Sequence, residues 1–249
     1  MAKIVTPLGF LWSSEVIPKP VVFEDLDRRV AKACFRARKI FAELVYDTTA
    51  LEDNPFTFPE VQTLLEGITV GGHKLEDEQQ VLNQAASWKF LLEKVGKKEF
   101  AVTKETYCEL HRLVAREEAL AWGEFRDGDV RIAGTSHRPP KAEELDELFA
   151  DGVAYLDQIV NPMEKGIMAF LFGALSQFFW DGNKRTSRLL MNGIVMSAGH
   201  DAISIPARLR LDFNTKMIRF YDSKDATEMA KFLVDLSDPA PERARTEGH

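Results

Sequence analysis

From Phe23 onward, apolar positions recur at three- and four-residue steps through Leu26, Val30, Ala33, Ala37, Ile40, Phe41 and Leu44, with Arg, Lys and Glu between them. That spacing predicts an amphipathic helix of about five or six turns. Similar stripes over 75–95, 104–120, 143–160, 163–180, 184–199 and 225–237 are separated by Gly, Pro, Asn or Asp. The expected fold class is therefore mainly α, a helical bundle. One interval, GEFRDGDVRIAGTSHRPP at 123–140, breaks the helical pattern. Its short β-leaning pieces on either side of Asp127-Gly128 predict a small β-hairpin.

The flanks differ from the centre. Residues 1–22 carry Pro7, Pro18 and Pro20 with little periodicity, which predicts an extended arm lying over the surface. Residues 238–249, DPAPERARTEGH, are polar and proline-rich, and a disordered tail is expected there. With no internal repeat and no composition shift between them, 23–237 is expected to form a single domain. The most apolar run, Ile167–Trp180, has 14 residues, whereas a bilayer span needs roughly 20, so it predicts a buried core helix and no membrane contact.

Charge narrows the function. The 249 residues include 39 acidic and 32 basic side chains, a net charge of −7 that disfavours a general nucleic-acid partner. The two cysteines, Cys34 and Cys108, fall in separate expected helices without metal-ligand spacing, which fits a reducing, cytoplasmic setting. No cleavable leader is apparent, so the whole chain is expected to be the mature protein. His73, His111, His200 and His249 show no metal-ligand spacing and are expected at the surface or satisfied in the core.

The chemistry concentrates in QFFWDGNKRTSRLL, Gln177 to Leu190. An apolar helix runs into Asp181-Gly182-Asn183, and a second helix starts at once. Glycine lets the backbone approach a ligand closely, while the helix start aims unpaired N–H groups and the positive dipole end at the same spot. Lys184, Arg185 and Arg188 against Asp181 leave a local charge of +2. Asp181 is placed to take Mg²⁺, which commonly bridges one carboxylate to substrate phosphates. The expected ligand is a nucleotide polyphosphate. A plain helix-helix turn with solvated basic residues is the competing reading.

This stretch resembles the Fic (Fido-fold) motif HPFxDGNxRxxR, with Phe179, Asp181, Gly182, Asn183, Arg185 and Arg188 at the family's spacing. The resemblance, which extends over roughly Thr48 to Leu236, implies a Fic-type helical bundle with a small β-hairpin flap. It also implies ATP and Mg²⁺ as cofactors, and transfer of AMP to a protein hydroxyl. Asp181 would be the metal ligand, with Gly182, Asn183, Lys184, Arg185 and Arg188 binding the nucleotide. Two positions depart: Gln177 stands where the family has its catalytic His, and Phe178 replaces the usual proline. A glutamine carboxamide is not a usable base near neutral pH, and a positioned base supplies ~10²–10⁴ in rate. Binding is expected to survive and transfer to be weak or absent.

Two further segments extend the likeness. TTALEDN, 48–54, resembles the family's N-terminal inhibitory motif, Ser/Thr-x-x-x-Glu-Gly/Asn, which would set Thr48 and Glu52 against Arg188. Asp53 takes the place of the usual Gly or Asn. Thr49-x-x-Glu52 alternatively reads as a helix capping box. The 123–140 interval resembles the flap that holds a target segment as an added strand, placing Ile132, Gly134 and Thr135 against an as yet unidentified target protein. A homodimer is a further expected partner state. Two functional alternatives stay open: an active AMP transferase or de-AMPylase in which Glu52, a bound water or, from the flap, His137 moves the proton, and a non-catalytic peptide-binding regulator.

Overall fold

The structure, a computed structural model, describes residues 3–237; the tail expected at 238–249 lies outside the described residues. Ten helices occur within them: α1 (Leu26–Lys39), α2 (Phe41–Ala50), α3 (Phe58–Leu65), α4 (Leu75–Gly96), α5 (Lys104–Val114), α6 (Leu145–Leu156), α7 (Pro162–Ser176), α8 (Asn183–Ser197), α9 (Arg210–Ser223) and α10 (Thr227–Ser237). The mainly α expectation holds. None of the described helices is long and apolar enough to cross a membrane.

The single long helix expected from residue 23 divides at Ile40, whose φ of −105° and ψ of 24° end α1 and begin α2. The three- and four-residue rhythm continues across this bend, so periodicity alone cannot register it. Two helices escaped the pattern. One is α3, which starts at a capping box of Thr57 and Glu60 with Pro59 in its first turn. The other is α9, with few buried residues along its length.

Helices α7 and α8 form the central antiparallel pair. Every α7 side chain from Gly166 to Ser176 is buried, and so is all of α8 from Arg185 to Met196. Glycines let them approach. A Cβ at Gly173 would lie 2.3 Å from Ser187 Oγ and 2.4 Å from Tyr107 Oη, and one at Gly166 2.8 Å from Val195 Cγ1. The other helices and the N-terminal segment close round this pair, with Tyr107, Phe149, Phe178 and Phe179 forming an aromatic cluster at its lower end.

Residues 3–22 depart from the expected surface arm. Strands β1 (Ile4–Val5) and β2 (Leu11–Trp12) pair antiparallel, and Leu8, Phe10 and Trp12 enter the core. Leu11 N–H donates to the Lys224 carbonyl at 2.7 Å and its carbonyl accepts from Ala226 N–H at 2.8 Å, clipping the segment to the α9–α10 junction. Prolines dilute the periodicity without preventing burial. Conversely, 123–140 contains no strand, which corrects the expected hairpin. The buried Arg126 guanidinium takes the carbonyls of Gly128 and Pro140, doing with a side chain what a cross-strand ladder would have done.

The close approach of α7 to α8 makes a specific demand on Gly173. Gly173→Ala is expected to cost about 1–3 kcal/mol in urea unfolding, because overpacking and loss of the 2.7 Å Tyr107–Ser187 hydrogen bond outweigh alanine's helix propensity. An unchanged or raised midpoint would show that the helix pair has slack.

Candidate functional site

The site begins where α7 stops. Gln177 adopts the left-handed conformation, φ 50° and ψ 61°, as the C-cap of α7, and Gly182, φ 70°, is the N-cap of α8. Asn183 locks the intervening turn. Its Oδ1 accepts from Phe179 N–H at 2.9 Å, and its Nδ2 donates to the Phe179 carbonyl at 2.8 Å and to Gln177 Oε1 at 3.1 Å. Gln177 Nε2 in turn donates to the Ala174 carbonyl at 2.7 Å. The carboxamide is thus engaged at both ends and serves the turn.

Gly182 supplies no side-chain acceptor, and the first intrahelical bond of α8 is Thr186 N–H to the Gly182 carbonyl at 2.9 Å. The N–H groups of Asn183, Lys184 and Arg185 are therefore left without intrahelical partners at the positive end of the helix dipole. Beneath the turn, His111 stacks on Phe179 at 3.7 Å. Gly123 N–H donates to His111 Nδ1 at 3.1 Å, which fixes the proton on Nε2, and that proton goes to the Asp181 carbonyl at 2.9 Å. Burial lowers the His111 pKa to about 4, so it is a neutral structural group. Of the two expected places, surface or satisfied core, His111 takes the core.

A cavity of about 380 Å³ opens over this turn, bounded by Gln177, the Asp181–Arg185 stretch, Glu52, residues 130–133, and Asn214 and Tyr221 of α9. Glu52, Asp53, Arg131, Asp181, Lys184 and Arg185 line it, with Arg188 and Glu118 paired to them from behind, and the charge around the motif cations differs from the expected +2. Glu52 Oε1 lies 3.3 Å from Arg188 Nη2, and Oε2 lies 3.3 Å from Lys184 Nζ. Arg185 Nη1 donates to Glu118 Oε2 at 2.6 Å, and Nη2 lies 3.9 Å from Asp181 Oδ2. Lys184, Arg185 and Arg188 (+3) thus meet Asp181, Glu52 and Glu118 (−3). The cradle is charge-balanced because carboxylates distant in sequence fold onto it.

Burial works against the Glu52 charge, but Lys184, Arg188 and Arg185 outweigh it and hold the carboxyl at about 2. Burial likewise opposes the Arg185 charge, which Glu118, Glu52 and Asp181 restore and raise above its ordinary value. Arg188 is depressed by its burial in spite of Glu52. Thr48 bonds back to the Leu44 carbonyl at 2.8 Å and does not line the cavity. Thr49 donates to the Val45 and Tyr46 carbonyls at the C-terminal end of α2, so the capping-box reading is discarded. Asp53 has φ 62°, the left-handed region that Gly and Asn enter most easily.

The 123–140 loop forms one wall. Ile132 lines the cavity, Gly134 turns the chain at φ 80°, and Thr135 and Ser136 bond Asp222 on α9, the Ser136 N–H at 3.1 Å. Among the described residues, no hydrogen bond engages the backbone of residues 130–134. Arg126, 2% exposed, anchors the loop's base: its Nε donates to the Gln177 carbonyl at 2.7 Å while its other nitrogens reach Gly128 and Pro140. His137 is not placed as a base. Its Nε2 bonds the Leu175 carbonyl at 2.8 Å and its Nδ1 faces Lys224 Nζ, so both ring nitrogens are engaged.

The donor set fits a polyphosphate with a hard cation. Tyr221, 2% exposed, has an unpartnered hydroxyl and lines the cavity, and Arg188 Nη1 is also unpartnered. Asp181 keeps 67% of its side chain exposed at the mouth. Among the described residues no group of three or more His, Cys, Asp or Glu could hold a metal by itself, so a cation here needs oxygens from its ligand. Arg126, His111, Glu118 and Tyr221 were not singled out as site residues from sequence. Of these only His111 carries a sequence expectation, as a surface or satisfied core histidine.

The Fic/DOC family model matches residues 101–195. Protein adenylyltransferase Fic of Drosophila ananassae is 27% identical over 210 residues, 82% of this chain and 41% of that protein. The Aedes aegypti protein of that name is 25% identical over 207 residues, 81% of this chain and 41% of its own length. The chain thus spans less than half the length of these relatives. Fic-1 from C. elegans superposes with a TM-score of 0.71 at 21% identity, covering 86% of this chain and 68% of that one. A Fic domain containing signaling protein from Bacteroides thetaiotaomicron gives 0.68 at 22% identity, covering 88% and 87%. IbpAFic2 covalently tethered to Cdc42 gives 0.52 at 14% identity, covering 89% and 65%. At these identities the structural likeness is one of fold.

The Glu52 ion pairs make stability pH-dependent in a defined direction. With the folded-state pKa at about 2, below the ordinary 4.5, protonation favours the unfolded chain. The pairs' contribution is therefore complete above about pH 5 and is lost as pH falls toward about 2. Glu52→Gln, which strands the buried Arg188, is expected to destabilise by about 3 kcal/mol at neutral pH, with the gap to wild type narrowing through that acid window. A gap independent of pH between about 5 and 2 in urea unfolding would show that Glu52 is not ionised in the fold.

Proposed function

We propose, on the premise that this chain carries a Fic/DOC family domain, that it binds ATP with Mg²⁺ in the Gln177–Arg188 cavity and that Glu52 restrains this binding. The observation carrying the proposal is Glu52's position, bridging Arg188 and Lys184 at the cavity wall. A triphosphate seated there has to displace that carboxylate from both cations. Phosphate oxygens would be held by Lys184, Arg185, Arg188 and the free N–H groups of α8. Asp181 would carry the magnesium ion, which supplies neutralisation of phosphate charge when bound.

The relatives' name, protein adenylyltransferase, suggests the reaction: a protein hydroxyl oxygen bonds to the α-phosphorus, the bond to pyrophosphate breaks, and the hydroxyl proton needs an acceptor. Gln177 stands where that acceptor belongs and cannot take a proton near neutral pH. Both His137 nitrogens are engaged, which argues against a substitute there. Transfer by this chain is therefore weak or absent. Residues 130–134, with no backbone hydrogen bonds to the described chain, suit an extended target segment added as a strand. This part of the reading rests on the loop's free edge, since the loop is not itself a hairpin.

Titration of ATP and Mg²⁺ into wild type and Glu52→Gly is expected to show affinity rising roughly ten- to hundredfold in the variant, the range for removing a competing buried carboxylate. Labelled AMP is expected to reach protein only when Gln177→His is added to Glu52→Gly, with a gain of ~10²–10⁴ over Glu52→Gly alone. No ATP binding by Glu52→Gly would overturn the proposal and redirect attention to a peptide-binding role for the loop.

A further inference from the structure

The two motif arginines are held in opposite ways. Arg188 is 6% exposed; its Nη2 is taken by Glu52, and Nη1 has no partner. Arg185, 3% exposed, is bound from behind. Its Nη1 donates to Glu118 Oε2 at 2.6 Å, and its Nη2 points toward the Asp181 carboxylate at 3.9 Å. Arg185 lines the cavity and Glu118 does not.

Glu118 is itself fixed from α4. Gln80 Nε2 donates to Oε2 at 3.1 Å, and Asn83 Nδ2 donates to Oε1 at 2.8 Å. Asn83, 3% exposed, also donates to the Arg116 carbonyl at 2.8 Å and accepts from Gln79 at 2.8 Å. A carboxylate held at both oxygens, on the side of the guanidinium away from the cavity, sets the plane of the fork without competing for its front edge. A guanidinium binds phosphate oxygens through that fixed fork, so its orientation decides whether Nη2 meets a phosphate. Nothing else reaches Nη1 except the Val114 carbonyl at 3.4 Å, a weak contact.

We propose that Glu118 is the positioning residue for Arg185: with Gln80 and Asn83 behind it, it anchors Nη1 and presents Nη2 to phosphate oxygens in the cavity. This rests on the nucleotide reading of the site. It assigns to the turn after α5, outside both the motif and the inhibitory segment, a part in polyphosphate binding. Glu118 acts oppositely to Glu52, for it supports binding where Glu52 opposes it.

The test is titration of ATP with Mg²⁺, of inorganic triphosphate and of adenosine into Glu52→Gly, with and without Glu118→Gln. Glutamine keeps the shape but replaces one acceptor with a donor facing other donors. Affinity for ATP and for inorganic triphosphate is expected to fall about tenfold, the effect of one charge-assisted hydrogen bond, with adenosine unaffected. Gln80→Ala, at a half-buried position, is expected to act in the same direction by a smaller factor, and it carries the test where Glu118→Gln does not fold. Unchanged or tighter triphosphate binding in these variants overturns the proposal alone. An equal loss for adenosine overturns it too, by showing a merely structural role. No ATP binding by Glu52→Gly itself overturns the nucleotide reading and this proposal together.

Discussion

Two buried helices have to reverse direction between Ser176 and Asn183 without stranding backbone polar groups in the core, and the Asn183 side chain is what makes that possible. An unpaired buried N–H or C=O costs about 1–3 kcal/mol, so a tight reversal inside a core is rare without such a clamp. By taking both polar groups of Phe179, Asn183 lets Asp181 stand exposed while Gly182 stays buried against Val114 and Ala115, and it leaves the first N–H groups of α8 unspent. Phe178 and Phe179 are then driven fully into the aromatic cluster, which Tyr107 closes by reaching Ser187 on α8. The anion cradle is a by-product of how this turn is satisfied.

Electrostatics add a second layer that the turn does not determine. Three cations on one helical turn and a half would repel one another if left alone in a site this enclosed. Glu52, from the end of α2, and Glu118, after α5, relieve that repulsion by different geometries. One lies across the cavity wall and the other behind it. On the proposed reading the first has to leave when an anion arrives and the second does not, so the same charge balance in the resting state would separate into a restraint and a support. Neither role depends on the other's segment, since α2 and the turn after α5 reach the motif independently.

The helices and the Asp181–Arg188 constellation were legible because both are local: periodicity marks buried stripes, and the turn's chemistry lies within a dozen consecutive residues. The Glu52–Arg188 contact was reachable only through resemblance, as no local pattern joins positions so far apart. Glu118 and Arg126 were illegible for the same reason, for their partners are chosen by packing. The hairpin expected at 123–140 failed because Asp-Gly signals a turn without saying what satisfies the flanking carbonyls, and a buried arginine did so. The arm expected at 3–22 failed because prolines hid the three apolar residues, Leu8, Phe10 and Trp12, that anchor it.

On the proposed reading, loss of a general base and loss of a binding site are separable for a physical reason. The side chains that shape the turn, Asn183, Arg126 and His111, bond only backbone or carboxamide groups, and none of them needs Gln177 to carry or exchange a proton. Gln177 contributes a carbonyl oxygen to Asn183 and an amide to Ala174, both pH-independent, so the turn is as well satisfied with glutamine as the geometry requires. The cations Lys184, Arg185 and Arg188 are paired by Glu52 and Glu118, on other elements. A substitution at 177 therefore changes what can move a proton while leaving the cradle's shape and charge where they were. On the proposed reading, in which Glu52 restrains binding, such a change would remove chemistry without removing the equilibrium that the restraint controls.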